Sequence, residues 1–177
     1  MSAQMRFREF LKKRSGLFVN GLFFVAVFIG VSAFQARNML STSGTEAPAL
    51  SGPLLRGGSY DISTTGKRTT LVYFFAPWCN ICAVSSDNLT RLRRIRNQDS
   101  LQIVAVALDW RDVEEVRDYV DRDELDLPVV LGSRQVADDW RVYAFPTYYV
   151  LDGDLRIRRR DLGYSSQFGL WWRTWFS

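Results

Sequence analysis

The chain has 177 residues, of which 47% are hydrophobic and 24% charged, and its formal net charge at pH 7 is +4. This length suits one domain with its own core, and the composition excludes a disordered chain. With two cysteines and no histidine, the monomer lacks the ligands of a zinc site or a c-type haem. The small positive charge is unevenly placed, and we expect no nucleic-acid partner.

The first 16 residues are basic, and an almost unbroken apolar run follows at 17–34. That run is just long enough to span a bilayer as a helix, and the positive-inside rule places the basic segment in the cytoplasm. We therefore expect an uncleaved, single-pass transmembrane anchor at 17–34. A cleaved signal peptide, with a cleavage site at 31–33, and a buried soluble helix are the alternatives. Both membrane interpretations place the remaining chain where disulfides persist.

Residues 35–52 are rich in Ser, Thr, Ala, Gly and Pro and lack periodicity, which predicts a flexible linker before a domain at 53–177. Within that domain, apolar, β-branched and alternating patterns predict strands and amphipathic patterns predict helices. The predicted strands are 59–62, 69–75, 101–108 and 147–151, and 127–131 is a short strand or an extended insert. The predicted helices are 79–96, 111–120 and 133–140, the last with Ser133 as its N-cap.

Two further elements are predicted near the end of the chain. Asp152 and Gly153 indicate a hairpin into a return strand at 155–160, whose outward arginines suit a sheet edge. A last helix at 166–176 places Phe168, Trp171 or Trp172, and Trp175 on one face. We expect these aromatic side chains to pack on the sheet as part of the core, with contact to a membrane surface as the lesser alternative.

The two cysteines, Cys79 and Cys82, form a C-x-x-C motif between a buried strand and an amphipathic helix. The helix N-terminus offers unpaired N–H groups and a partial positive charge, which favour a thiolate. Cys82 lies one turn further on, so the two sulfur atoms can meet on one face. We expect Cys79 to be the exposed attacking thiol and Cys82 the buried resolving thiol. The alternative is an inert structural disulfide, although so small a loop stabilises little.

These motifs and their order resemble the thioredoxin-like superfamily, an α/β fold with a central mixed sheet flanked by helices. The resemblance rests on the W-C-x-x-C sequence at 78–82 and on Pro146-Thr147 directly before a strand. More narrowly, the chain resembles the membrane-anchored TlpA/ResA-type thiol–disulfide oxidoreductases. Its ending at 163–170 is similar to the periplasmic suppressor-of-copper-sensitivity D (ScsD-like) subgroup.

The resemblance implies a set of residues that support the cysteines. Pro146 would be a cis proline facing the disulfide, with the backbone beside Phe145 free to pair with a substrate chain. Trp78 would cover the site, and Pro77 would shape the turn. The supporting residues implied in this way are Pro77, Trp78, Phe145, Pro146 and Thr147.

Two positions depart from the family pattern. Tyr73 stands where thioredoxin carries a buried acid, so the usual proton acceptor for the resolving thiol is absent. Asp109, at the end of the strand 101–108, is a candidate substitute. Phe145 is bulky where a small or β-branched residue is common, which would narrow the range of substrates.

The expected function is therefore that of a thiol–disulfide oxidoreductase on a bacterial inner membrane, with its C-terminal domain in the periplasm. It would reduce disulfides in partner proteins through Cys79 and Cys82 and be recharged by a DsbD-like membrane donor. We expect no metal and no cofactor besides the redox-active disulfide. Two alternatives remain open, namely a redox-dependent binding or chaperone module and a copper(I)-binding protein, since thiolates suit that soft metal.

Overall fold

The structure is a computed structural model, and it describes residues 38–66, 68–97 and 99–175 together with the isolated positions 23, 27 and 30. The chain divides into two units, Met1–Asn38 and Met39–Ser177. Among the residues so described, no helix is both long and apolar enough to span a bilayer. Apart from those three isolated positions, the predicted anchor at 17–34 lies outside the described residues, and it stays a prediction.

The second unit is built around a five-stranded mixed sheet with the strand order β5-β4-β3-β6-β7. Strands β3, β4 and β5 are parallel, while β6 and β7 run antiparallel to their neighbours. A separate antiparallel pair joins β1 to β2. The strands are β1 (Ser51–Pro53), β2 (Ser59–Asp61), β3 (Thr69–Phe75), β4 (Leu101–Ala107), β5 (Val129–Leu131), β6 (Thr147–Leu151) and β7 (Ile157–Leu162).

Helices cover both faces of this sheet, which explains why β3 is buried from Thr70 to Phe75. One core cluster includes Leu89, Val116 and Leu170 from three of the helices, and a second cluster surrounds Trp140. The helices are α1 (Asn80–Ile95), α2 (Val113–Arg122), α3 (Arg134–Asp139) and α4 (Gln167–Trp175). The mixed sheet with flanking helices agrees with the predicted α/β class.

Two helix starts follow from side chains that accept hydrogen bonds from otherwise unpaired N–H groups. Asp112 caps α2 by accepting from the backbone N–H of Glu114, and Ser133 caps α3 by accepting from that of Val136. The predicted N-cap at Ser133 is confirmed.

The predicted hairpin between β6 and β7 is confirmed, but its connection is longer than predicted. Leu151 pairs with Ile157, so the return strand begins at Ile157 rather than at 155. The Asp152 carboxylate accepts from the backbone N–H groups of Asp154 and Arg156, and Leu155 adopts a φ of 58°. These hydrogen bonds keep the chain in the turn beyond the Asp-Gly pair.

Most of the segment predicted as a flexible linker is packed against the domain. Met39 and Leu50 are buried, and the backbone N–H of Ala47 donates to the carbonyl oxygen of Leu155. The compact unit begins at Met39, so the predicted boundary at 53 is wrong. The reason is that Met39 and Leu50 belong to the core cluster around Trp140. The composition of this Ser- and Gly-rich stretch does not show that two of its apolar residues are buried in a core.

The last helix places its aromatic side chains differently from the prediction. The buried residues of α4 are Leu170 and Thr174, whereas Phe168, Trp172 and Trp175 are exposed. The prediction that the aromatic face packs into the core is therefore wrong for these three residues. Trp171 alone among the aromatic residues of α4 packs against the core cluster. The core side of the helix is filled by the smaller Leu170 and Thr174.

Candidate active site

The two cysteines form a disulfide at the N-terminus of α1, with an S–S distance of 2.13 Å and a Cα–Cα distance of 5.2 Å. Cys79 is the N-cap residue, and Cys82 lies in the first turn. Cys79 is 6% exposed and Cys82 is fully buried. The sulfur closer to solvent is therefore that of Cys79, which is the order of exposure expected of an attacking and a resolving cysteine.

The local backbone holds Cys79 at the point where a thiolate is most stabilised. The N–H of Cys79 donates to the carbonyl oxygen of Ala76, closing the turn that follows β3. The N–H of Cys82 donates to the Cys79 sulfur at 3.2 Å. First-turn N–H groups of a helix have no partner within the helix, so they and the helix dipole favour negative charge on this sulfur after reduction.

Trp78 is held beside the disulfide by contacts with two residues, Asp109 and Phe145. Its indole Nε1 donates to the Asp109 carboxylate at 3.1 Å and to the Asp109 carbonyl oxygen at 3.2 Å. Its ring meets that of Phe145 edge to face, with a centroid distance of 5.7 Å. The structure thus brings together Trp78, Asp109 and Phe145. The carboxylate of Asp109 is directed at the indole, and its role as a proton acceptor for Cys82 stays a prediction.

The Phe145–Pro146 peptide bond is cis, as the family resemblance implies. The carbonyl oxygen of Pro146 accepts from the N–H of Gly163 at 2.8 Å. The Thr147 hydroxyl donates to the carbonyl oxygen of Ala144 at 2.8 Å. These two hydrogen bonds, at Pro146 and at Thr147, therefore hold the loop at the start of β6. The other predicted site proline, Pro77, lies in the turn between β3 and α1.

Tyr73 connects the sheet to the resolving cysteine. Its side chain is fully buried, and its hydroxyl donates to the carbonyl oxygen of Cys82 at 3.0 Å. Burial, with smaller effects from Tyr119 and Tyr148, raises the pKa of Tyr73 well above its ordinary value. The phenol therefore stays protonated and acts as a donor, so it does not replace the missing buried acid as a base.

Tyr73 belongs to a buried group of tyrosines that the sequence did not reveal. Its ring lies 5.2 Å from that of Tyr148, and burial raises the pKa of Tyr119 to about 12. Among the described residues, the hydroxyls of Tyr119 and Tyr148 have no partner at hydrogen-bond geometry. Tyr119 lies in a helix predicted from its valines alone, and only the tertiary fold brings it beneath the site.

A groove of about 530 Å³ lies next to Trp78. Its lining includes Asp109 and Phe145, the two residues that contact Trp78, and also Trp110, Arg134 and Tyr143. Sequence reasoning missed Trp110 and Tyr143, although each lies within three residues of a predicted site residue. Since Tyr143 is exposed, the groove offers aromatic surface to a substrate segment.

A metal site is not found in the described parts of the chain, where no three His, Cys, Asp or Glu side chains are placed to bind an ion. The reactive groups of the site are the sulfur atoms of Cys79 and Cys82. These two sulfur atoms can exchange their disulfide with another pair of thiols, and thiol–disulfide exchange needs no further group.

Comparisons of the sequence with known proteins agree with this geometry. A model of the AhpC/TSA family matches residues 43–160. The thiol:disulfide interchange protein HelX of Rhodobacter capsulatus is 30% identical over 155 residues, covering 80% of this chain and 84% of HelX. The thioredoxin-like protein YneN of Bacillus subtilis is 28% identical over 111 residues, 62% of this chain and 65% of its own length. This match therefore spans slightly less than two thirds of YneN.

Solved structures show the same fold. The thioredoxin domain of a thiol-disulfide oxidoreductase from Bacteroides vulgatus superposes with a TM-score of 0.69 at 21% identity, covering 78% of this chain and 99% of that domain. At such identity the likeness establishes the thioredoxin fold, which confirms the predicted fold of the domain. The narrower resemblance to the ScsD-like subgroup stays a prediction.

Proposed function

Since the chain belongs to the AhpC/TSA family, we propose that it is a protein thiol–disulfide oxidoreductase that reduces disulfides in partner proteins. The observation that carries this proposal is the disulfide at the start of α1, with Cys79 6% exposed and Cys82 fully buried. The helix N-terminus next to Cys79 stabilises a thiolate, and a purely structural disulfide would gain nothing from that effect. HelX, 30% identical to this chain, is named a thiol:disulfide interchange protein, which supports the same chemistry.

The reaction proceeds by two thiol–disulfide exchanges. In the reduced protein, the Cys79 thiolate attacks a sulfur of the substrate disulfide, and the other substrate sulfur leaves as a thiolate. The Cys82 thiolate then attacks the Cys79 sulfur of the mixed disulfide, which releases the second substrate thiolate. Two electrons have passed to the substrate, and the Cys79–Cys82 disulfide seen here is the product.

The groove beside Trp78 is where the substrate segment next to the reacting cysteine would lie. Phe145, whose ring contacts Trp78, lines the near end of the groove, and Trp110 and Tyr143 offer rings to apolar side chains. The donor that reduces Cys79–Cys82 again would be a DsbD-like membrane protein. We place the domain in the periplasm of a bacterial cell, tethered to the inner membrane through residues 17–34, on the strength of the basic and apolar pattern of the N-terminus.

The test is reduction of insulin disulfides by the full chain in detergent, with Cys79→Ser and Cys82→Ser as variants. We expect Cys79→Ser to be inactive and Cys82→Ser to accumulate a mixed disulfide with substrate. Full activity of Cys79→Ser would overturn the proposal. Tight stoichiometric copper(I) binding without thiol exchange would replace it with the copper alternative.

The direction of electron flow is tested by the reduction potential. A reductant should lie near the thioredoxin value of about −270 mV, whereas an oxidant like DsbA lies near −120 mV. The anchor is tested separately by alkaline carbonate extraction of membranes and by protease accessibility of the domain in spheroplasts. Release by carbonate would reject the anchor without affecting the thiol chemistry.

A further inference from the structure

One face of α4 exposes aromatic side chains to solvent. Phe168, Trp172 and Trp175 lie at i, i+4 and i+7, and they are 70%, 51% and 55% exposed. Their rings form part of a stacked series, with Phe168 6.4 Å from Trp172 and Trp175 5.4 Å from Trp171. We call Phe168, Trp172 and Trp175 the aromatic face. Contiguous exposed apolar surface of this kind marks an interaction site.

The surroundings of the aromatic face are strongly basic. The Arg96 guanidinium lies 4.6 Å from the centroid of the Trp175 ring. Arg159 is exposed on the edge strand β7 and lines a small cavity together with Leu170 and Arg173 of α4. The acid at the same place, Asp161, is already paired with Arg173 at 2.9 Å. The partner of this surface should therefore be anionic.

A second copy of the chain does not fit this surface. In a symmetric dimer the same patch meets itself, so Arg96 and Arg159 would face arginines of the second copy, while Asp161 is already paired with Arg173. Tryptophan next to arginine, by contrast, suits the boundary of an anionic bilayer. Indole rings lie at the headgroup level, and basic side chains are attracted to anionic lipid at about 1 kcal/mol each.

We propose that the aromatic face, with Arg96 and Arg159 beside it, binds the surface of an anionic phospholipid bilayer. The disulfide stays accessible in that position. Cys79 is the N-cap of α1, and Arg96, which contacts Trp175, follows the last residue of the helix. The 16 residues of α1 separate these two ends by about 24 Å. The thiol chemistry does not depend on this contact.

The test uses the full chain in lipid nanodiscs that contain brominated acyl chains, which quench tryptophan fluorescence on contact. We expect at least twofold stronger quenching in discs with phosphatidylglycerol than in discs of phosphatidylcholine alone. The variant Trp172→Phe/Trp175→Phe should lose most of the quenched signal, whereas the control Trp110→Phe should keep it. Arg159→Gln should lower the quenching in anionic discs towards the phosphatidylcholine level, whereas Arg158→Gln, at a side chain paired with Asp152, should leave it unchanged.

Equal quenching of the wild type and Trp172→Phe/Trp175→Phe would overturn the proposal, as would the absence of any difference between the two lipid compositions. A protein that resists carbonate extraction yet shows no quenching of Trp172 and Trp175 would keep the anchor and reject the lipid contact, which would favour a protein partner for the aromatic face. A protein released by carbonate that still shows anionic-lipid quenching would support the lipid contact without the anchor.

Discussion

The hydroxyl of Tyr73 donates a hydrogen bond of 3.0 Å to the backbone carbonyl oxygen of Cys82. This contact joins the central strand β3 to the first turn of α1 at the resolving cysteine. In place of a buried acid, the site thus has a neutral donor, whose pKa burial raises well above its ordinary value. Tyr73 therefore positions the cysteine and does not accept its proton.

Removing the Tyr73 hydroxyl should destabilise the protein. Tyr73→Phe leaves the ring in place but deprives a buried carbonyl of its donor, which costs about 1 kcal/mol. Tyr148→Phe is a matched control, because Tyr148 is equally buried and, within the described chain, its hydroxyl has no hydrogen-bond partner. Burial raises the pKa of Tyr148 above its ordinary value, and the Ser85 hydroxyl, which opposes this shift, donates instead to the carbonyl oxygen of Ile81 at 2.9 Å. Urea unfolding should show a loss for Tyr73→Phe and little change for Tyr148→Phe.

An equal loss of stability in both variants would contradict this argument. It would mean that the cost comes from repacking of the tyrosine group and not from the hydrogen bond to Cys82.

The sequence was informative where a local pattern has a single physical meaning. The C-x-x-C motif after an apolar strand predicted the helix start at Cys79, and the family resemblance implied the cis bond before Pro146. It was less informative where the outcome depends on distant partners. The contact of Tyr73 with Cys82 is formed only in the fold, and helical periodicity could not show whether the aromatic face of α4 turns to the sheet or to solvent.

Gly132 should not tolerate a side chain. Gly132 directly follows β5 and lines the groove, and a Cβ atom there would lie 2.7 Å from the Leu108 side chain and 2.8 Å from that of Val106. Overpacking of this kind costs about 1–3 kcal/mol, so Gly132→Ala should lower the urea midpoint clearly. Gly169→Ala is the control, since the nearest atom to its added Cβ, at 3.0 Å, is at the end of the Arg173 side chain, and alanine is more favourable than glycine in a helix by about 1 kcal/mol. If Gly132→Ala keeps the urea midpoint of the wild type, β5 must be able to move enough to make room for the methyl group.

The pH dependence of stability should reveal Asp161. Burial raises its pKa above the ordinary value of 3.8, although Arg173 and hydrogen bonds oppose the shift. Between 3.8 and the raised value, the folded protein binds more protons at this group than the unfolded chain does. Its contribution to stability is therefore largest below pH 3.8 and is lost as the pH rises through the raised pKa. The free energy of unfolding of the wild type, relative to Asp161→Asn, should fall over that window.

A rise over the same window would mean that the Arg173 ion pair outweighs burial. In that case, Arg173→Gln would reverse the slope.

Asp109 can be tested as an acceptor for Trp78 and, separately, as a base. Asparagine keeps an oxygen for the indole Nε1 and tolerates the φ of 52° found at this position, but it cannot take a proton at neutral pH. If Asp109 only positions Trp78, Asp109→Asn should retain the kcat/KM of insulin reduction. Asp109→Ala should then lower it by about two- to fivefold, because one hydrogen bond is worth about 0.5–1 kcal/mol. A loss of tenfold or more in Asp109→Asn, greatest at low pH, would instead identify the carboxylate as the proton acceptor for Cys82. We expect the first result, because the carboxylate is exposed and directed at the indole of Trp78.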